Sequence, residues 1–219
     1  MKKAVVIISG GMDSTTLLYD IVKKYSKENV FALSFDYNQR HKKELEYAKK
    51  SCKNLGVNHK IVNLKVLNEL APSALTRDDI EVPEGHYQNA NMKQTVVPNR
   101  NMVLLALATS YAISVKATKL FYGAHNGDHT IYPDCRKEFI DSMKQSISLC
   151  DWNKVSLEAP YWNVDKGDIA KKGKKLGVNY SLTWTCYNGR KKACGKCGAC
   201  QERLEAFKKA KMIDPIEYE

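Results

Sequence analysis

Short apolar runs alternate along the chain with longer stretches of helical period. Residues 4–8 (AVVII), 30–35, 60–64, 119–123 and 156–160 read as buried strands. Between them, residues 14–24, 41–55, 101–116 and 136–149 carry apolar positions at helical spacing. In the second of these, Leu45, Ala48, Cys52 and Leu55 share one stripe, and Gly56 supplies a stop. Strand and helix in regular alternation predict an α/β fold, a parallel sheet with helices on both faces. Ligands of such sheets bind outside the carboxyl ends of the strands. Small and polar residues collect at those ends here, as "SGGMDS", "DYNQRH" and "GAHNGDHTIYPDC".

The rhythm breaks over residues 65–97, which hold Pro72, Pro83 and Gly85 and are followed by Pro98. A segment of that length without period reads as a functional loop or small insertion. After Tyr180 the alternation stops, which divides the chain into an α/β part, 1–180, and a cysteine-rich part, 181–219. The longest apolar stretch, 102–115, is shorter than the roughly 20 residues that span a bilayer, so it reads as a buried helix. The run behind Lys2 and Lys3 is too short for a signal-peptide core. The expectation is a cytoplasmic protein, where thiols stay reduced and a cysteine cluster favours metal over disulfides.

Composition changes this picture only through charge. The 35 Lys and Arg exceed the 24 Asp and Glu, for a formal net charge of +11. Such an excess favours anionic partners, from nucleotides to nucleic acid, although a lysine-rich solvated surface accounts for it equally well.

The hexapeptide Ser9 to Ser14 fits neither "GxGxxG" nor "GxxxxGK[ST]". Its logic is still that of an anion cradle. Gly10 and Gly11 allow close backbone approach and positive φ, while Ser9, Ser14 and Thr15 add hydroxyls. The following helix aims free N–H groups at the same point. Asp13 would repel phosphates alone, which suggests Mg²⁺ between its carboxylate and phosphate oxygens. The plainer reading is a tight turn with Asp13 or Ser14 capping the helix.

Cys186, Cys194, Cys197 and Cys200 form C-x7-C-x2-C-x2-C. Four thiolates complete a tetrahedral Zn²⁺ and leave no open position, so the spacing predicts a structural zinc site. Iron–sulfur ligation is the competing reading. Cys52 lies on a buried stripe, and neither Cys135 nor Cys150 has metal spacing.

The hexapeptide directly behind the first strand resembles the pyrophosphate loop of the N-type ATP pyrophosphatases (PP-loop superfamily). Together with the cysteine end, the segments "FDYNQRHKKE", "LNELAPSALTR", "VPNRNMVLLALA", "YPDCRKEF" and "LTWTCYNG" occur in order over nearly the whole chain. In these the sequence is similar to the 7-cyano-7-deazaguanine synthase (preQ0 synthase) family of that superfamily. The resemblance implies an adenine nucleotide alpha hydrolase-like domain with a small C-terminal zinc-binding subdomain. It implies ATP-dependent condensation of 7-carboxy-7-deazaguanine with ammonia, through an adenylated acid and an amide, to the nitrile used for queuosine and archaeosine.

By the same resemblance Ile8, Ser9, Gly10, Gly11, Met12, Asp13, Ser14, Thr15 and Lys166 bind ATP, with Lys166 just ahead of a helix. Asp13, Ser14 and Arg100 are the catalytic candidates. Arg100 would pair with the substrate carboxylate or the α-phosphate, and Asp134 and Arg136 would contact the substrate. Blander readings stand beside these: a surface arginine, a local ion pair near a helix start, and a solvated lysine. Structural Zn²⁺, Mg²⁺ with ATP and a homodimer are further implications, with no membrane and no direct nucleic-acid partner.

One departure stands out. The family commonly carries an Asn-Ala-x-Asp-x-Ser-Gly type segment ahead of "YPDCR", where this chain has His125, Asp128 and His129. That leaves open a related acid as substrate, or a reaction stopping at the amide. Two rival functions remain: a tRNA-thiolating enzyme of the same superfamily, and a zinc-stabilised nucleic-acid-binding module without catalysis.

Overall fold

The computed structural model describes residues 2–219. β1 (Ala4–Ile7), β2 (Val30–Asp36), β3 (Asn58–Asn63), β4 (Lys119–Phe121) and β5 (Ser156–Glu158) form one sheet in the order β3-β2-β1-β4-β5. Every pairing is parallel. The strand β1 is central and apolar throughout, as a strand covered on both faces must be. Its side chains alternate between two cores. Val5 joins Leu33, Leu105, Leu120 and Leu157 on one face; Ala4 and Val6 join Leu17, Ile21, Ala48 and Ile169 on the other.

The first face is covered by α4 (Arg100–Ser114) and α5 (Lys137–Ser148), and the second by α1 (Met12–Tyr25), α2 (Lys43–Leu55) and α6 (Lys166–Leu176). The chain runs outward from β1 to β3, then returns to lay β4 on the other side of β1. The order therefore reverses between β1 and β4, the place where such sheets open a crevice for ligands.

The predicted strands and long helices are all present, with shifted ends. The helix α1 begins at Met12, because Gly11 is extended (φ −72°) and serves as its N-cap without a side-chain bond. Asp13 and Ser14 thus lie inside the first turn and do not cap it. Residues 65–97 are less loose than expected. They contain α3 (Val66–Leu70) and a 3₁₀ turn, Ala90–Thr95, and bury Leu67, Leu75, Met92 and Val97.

The cysteine-rich end contains α7 (Gly198–Lys209), which the sequence pattern does not reveal. This end folds back onto the first turn of the protein. The Trp184 amide donates to the Gly10 carbonyl at 3.0 Å, and the Tyr180 and Thr16 hydroxyls are 2.9 Å apart. Arg203 is fully buried, and its Nε and Nη2 donate to the two carboxylate oxygens of Asp214 at 2.7 and 2.9 Å. Among the described residues no helix is long and apolar enough to cross a membrane.

Candidate active site

A cleft opens above the carboxyl ends of β1, β2 and β4, walled by Ser9, Tyr37, Glu44, Arg100, His125 and Lys166 among others. The loop behind β1 forms its floor. The Gly11 amide donates to Ser9 Oγ at 3.1 Å, the Ser9 amide donates to Ser14 Oγ at 3.2 Å, and the two hydroxyls are 3.0 Å apart. These bonds fix the loop while the first turn of α1 faces the cleft. Only one of the two glycines requires its freedom. Gly10 has φ +99°, and a Cβ there would sit 2.0 Å from the Glu44 carbonyl oxygen. The close approach that Gly10 permits is thus by α2, in addition to any ligand.

On one side of the floor, Lys166 opens α6 and reaches Asp13 Oδ2 at 3.1 Å and Glu202 Oε2 at 2.5 Å. Burial works against its charge, but Asp13, Glu202 and Asp128 outweigh burial and keep the ammonium protonated. His125 completes this cluster, with Nε2 at 3.7 Å from Asp13, 3.6 Å from Asp128 and 3.8 Å from Glu202. Its Nδ1 accepts from the Gly127 amide at 3.1 Å, so the proton of the neutral ring is on Nε2, toward the carboxylates. Asp13 Oδ1 is buried without a hydrogen-bond partner, which suits a hard cation held between this carboxylate and a phosphate.

The pKa of His125 is raised: burial acts to lower it, but Asp128, Glu202 and Asp13 outweigh burial and the opposing Lys166. A raised value in the fold means that the charged ring stabilises it. That contribution is complete below the unfolded value of about 6.5 and is lost as pH climbs through the folded value. In His125→Gln, the urea midpoint is expected to fall less steeply from pH 6 to pH 9 than in the wild type. Equal slopes would contradict the assignment.

On the other side, Arg100 begins α4. Its Nη1 donates to the Tyr37 hydroxyl at 3.5 Å, and among the described residues no carboxylate lies within ion-pairing distance. Burial disfavours its charge, yet Tyr37, Asp134 and Tyr132 more than offset this. The guanidinium is a fixed cation with unused donors at a cleft wall. Tyr132 and Tyr187 lie near it, their hydroxyls 3.3 Å apart, and Tyr132 also meets the Thr95 hydroxyl at 2.7 Å. Aromatic rings held in this way make a wall suited to a flat heterocycle.

Not every candidate from the sequence reaches the cleft. Ile8, Ser9, Gly11, Met12, Asp13, Ser14, Arg100 and Lys166 line it. Thr15 is fully buried, and neither it nor Gly10, Asp134 or Arg136 is among the lining residues. Asp134 Oδ2 accepts from the Asn101 amide at 3.1 Å and so braces the start of α4, while Arg136 is exposed and donates to the His129 carbonyl at 2.8 Å. Cys135 is in the wall, but burial pushes its thiol well up, so it is a neutral group there. The sequence reading missed Glu44, Glu202, Tyr122, Tyr132 and Tyr187. Glu44 ends "FDYNQRHKKE", Tyr132 opens "YPDCRKEF" and Tyr187 lies within "LTWTCYNG", so position in a motif was the available signal. Glu202 carried none.

The four clustered cysteines are all buried, with their sulfurs within 4.8 Å of one another. Cys194 and Cys200 are 3.9 Å apart, close to the roughly 3.8 Å that tetrahedral Zn–S bonds of about 2.3 Å require. The amides of Lys196 and Cys197 donate to Cys194 Sγ at 3.5 and 3.3 Å, a turn that Gly195 allows by taking φ +69°. The residues present fit a single metal ion.

A family model described as Queuosine biosynthesis protein QueC matches residues 3–211. The 7-cyano-7-deazaguanine synthase of Caldicellulosiruptor saccharolyticus is 64% identical over 217 residues, 99% of this chain and 96% of its own. The protein of the same name from Methanoregula boonei is 61% identical, covering 99% of each chain. Among solved structures, the U34-tRNA thiolase NcsA from Methanococcus maripaludis, with its 4Fe-4S cluster, matches with a TM-score of 0.54 at 16% identity, over 94% of this chain and 63% of its own. The NH3-dependent NAD synthetase from Campylobacter jejuni matches with a TM-score of 0.52 at 20% identity, over 82% of this chain and 66% of its own. Those two likenesses show a shared fold. The full-length sequence matches go further, and the chain belongs to the QueC family of queuosine biosynthesis proteins.

Proposed function

We propose that this chain is an ATP-dependent ligase that converts 7-carboxy-7-deazaguanine and ammonia to 7-cyano-7-deazaguanine, by way of an adenylated acid and an amide. The observation that carries this reading is a single cleft holding a phosphate-type loop and, apart from it, an arginine with no ion-pair partner among the described residues. The first turn of α1 and Lys166 take the phosphates of ATP, and Arg100 takes the carboxylate of the acid. A carboxylate is a poor electrophile. Held against the α-phosphorus, its oxygen displaces pyrophosphate and gives an acyl-adenylate, from which ammonia expels AMP. Adenylation of the amide oxygen in the same cleft then allows loss of AMP to leave the nitrile. The protein's part is to align the reactants and to oppose the developing negative charge.

Mg²⁺ accompanies ATP in this reading, with Asp13 as the residue that would hold it. The four-cysteine site is read as structural zinc, since its sulfurs suit one tetrahedral ion. We treat residues 1–180 as the catalytic part and 181–219 as the metal-binding part, with Glu202 lent back to the cleft. We also read the protein as a cytoplasmic homodimer. Met102 and Leu107 on α4 are 48% and 37% exposed and offer an apolar face for a second copy. A thiolating function is disfavoured because the only thiol among the cleft-lining residues, Cys135, is neutral.

Exchange of labelled pyrophosphate into ATP tests the reading directly. Exchange is expected with 7-carboxy-7-deazaguanine present and ammonia absent; no exchange with the acid would overturn it. In Arg100→Ala, loss of a charge-assisted pair worth about 1.5–3 kcal/mol should raise KM for the acid by about 10- to 150-fold and leave KM for ATP nearly unchanged. A rise in KM for ATP alone would move Arg100 to the α-phosphate.

A further inference from the structure

The reaction proposed above leaves one proton without a destination. When neutral ammonia forms a C–N bond, its nitrogen must lose a proton before a stable amide results. Arg100 and Lys166 are held charged and cannot take it. Asp13 and Glu202 are both engaged by the Lys166 ammonium.

Glu44 is placed differently. It stands in the first turn of α2, and its carboxylate is on the cleft wall. The approach of α2 to the phosphate loop fixes it there. Its carbonyl oxygen lies 2.0 Å from where a Cβ on Gly10 would be, and its Oε1 lies 3.8 Å from where a Cβ on Gly11 would be. Among the described residues no lysine or arginine nitrogen is within ion-pairing distance of this carboxylate. The only basic group that close is His41, with Nε2 at 3.4 Å. His41 is no counter-ion, because burial, reinforced by the charge of Arg100, pushes its pKa down to about 4.

The charged and titratable groups that face Glu44 are therefore neutral His41 in the turn just ahead of α2, Asp13 on α1, Arg100 on α4 and Lys166 on α6. Burial raises the carboxyl to about 8 and outweighs the opposing pull of Arg100 and Lys166. A base of that strength, next to the loop to which the ligase reading assigns the phosphates, is matched to proton transfer near neutral pH.

We propose that Glu44 is a catalytic residue: the general base that takes a proton from ammonia as it attacks the acyl-adenylate. The inference rests on the ligase reading. As the C–N bond forms to the carboxyl carbon, the bond from that carbon to the AMP oxygen breaks, and AMP leaves with the electron pair. One N–H proton passes to the Glu44 carboxylate. Acyl-adenylate, ammonia and carboxylate thus become amide, AMP and protonated Glu44, which returns its proton to water before the next turnover.

The test separates two partial reactions in the wild type, Glu44→Gln and Glu44→Asp. The first is acid-dependent exchange of pyrophosphate into ATP without ammonia, which also reports a folded, substrate-binding protein. The second is amide formation when ammonia is added. Glu44→Gln is expected to exchange at close to the wild-type rate while losing amide formation by about 10²- to 10⁴-fold. Glu44→Asp should recover part of that loss. If exchange and amide formation fall together in Glu44→Gln, the residue serves ATP binding or the fold, and the proposal is overturned. Amide formation at the wild-type rate in Glu44→Gln overturns it as well. Absence of exchange in the wild type would instead sink the ligase reading, and Glu44 as its base along with it.

Discussion

Gly10→Ala is expected to lose ATP binding and to unfold at a much lower urea concentration than the wild type. The residue has φ +99°, and an added Cβ would lie 2.0 Å from the carbonyl oxygen of Glu44 and 2.9 Å from the amide nitrogen of Ala48. Both are backbone atoms of α2, so no side chain can swing aside, and the helix itself must move. Backbone strain of about 1–3 kcal/mol adds to overpacking of similar size, together roughly 3 kcal/mol or more. The loop is then displaced from the cleft even in molecules that stay folded. Gly11→Ala provides the contrast. Its φ is −72°, and the nearest atom to an added Cβ is the Ser9 hydroxyl at 3.3 Å. Urea titration and calorimetric ATP binding on both variants check this, and Gly10→Ala with a wild-type midpoint would refute it.

Cys197→Ser is expected to release the bound metal, to lower the melting temperature and to remove most of the activity. The three losses share one cause. Cys197 is the N-cap of α7, Cys200 lies in its first turn, and Glu202 follows with its bond to Lys166. A structural ion held by four ligands supplies about 10–16 kcal/mol in small domains. Losing even about a third of that would lower the melting temperature of a chain this size by roughly 10 °C, so release of the ion should lower it by at least that much. Elemental analysis, thermal unfolding and pyrophosphate exchange read the three losses separately. A metal-free variant with wild-type melting and exchange would show that the cluster does not support the cleft.

The architecture was legible where chemistry is periodic or closely spaced. Strands buried on both faces leave unbroken apolar runs, as in 4–8, and the stripe of Leu45, Ala48 and Cys52 marked α2. The sulfur cluster followed from the spacing of Cys194, Cys197 and Cys200, and the loop from two glycines directly behind a strand. What sequence could not show is convergence. Lys166, Glu202, His125 and Asp13 come from α6, α7, the loop after β4 and α1, and only the folded chain joins them into one group through contacts within 4 Å. The helix α7 escaped notice because its buried side includes Glu202 and Arg203, each satisfied by an ion pair. Nor does the motif around Asp134 show that its carboxylate accepts a backbone amide at the start of α4.

The central claim is that one cleft activates a carboxylate with ATP and carries it to a nitrile. Mass spectrometry of the products tests it most directly, with 7-carboxy-7-deazaguanine carrying ¹⁸O in both carboxylate oxygens, plus Mg-ATP and ammonia. The account predicts a product with the mass of the nitrile, free of ¹⁸O, and AMP that has gained the label. Unlabelled AMP, or labelled acid returned intact beside consumed ATP, would contradict it.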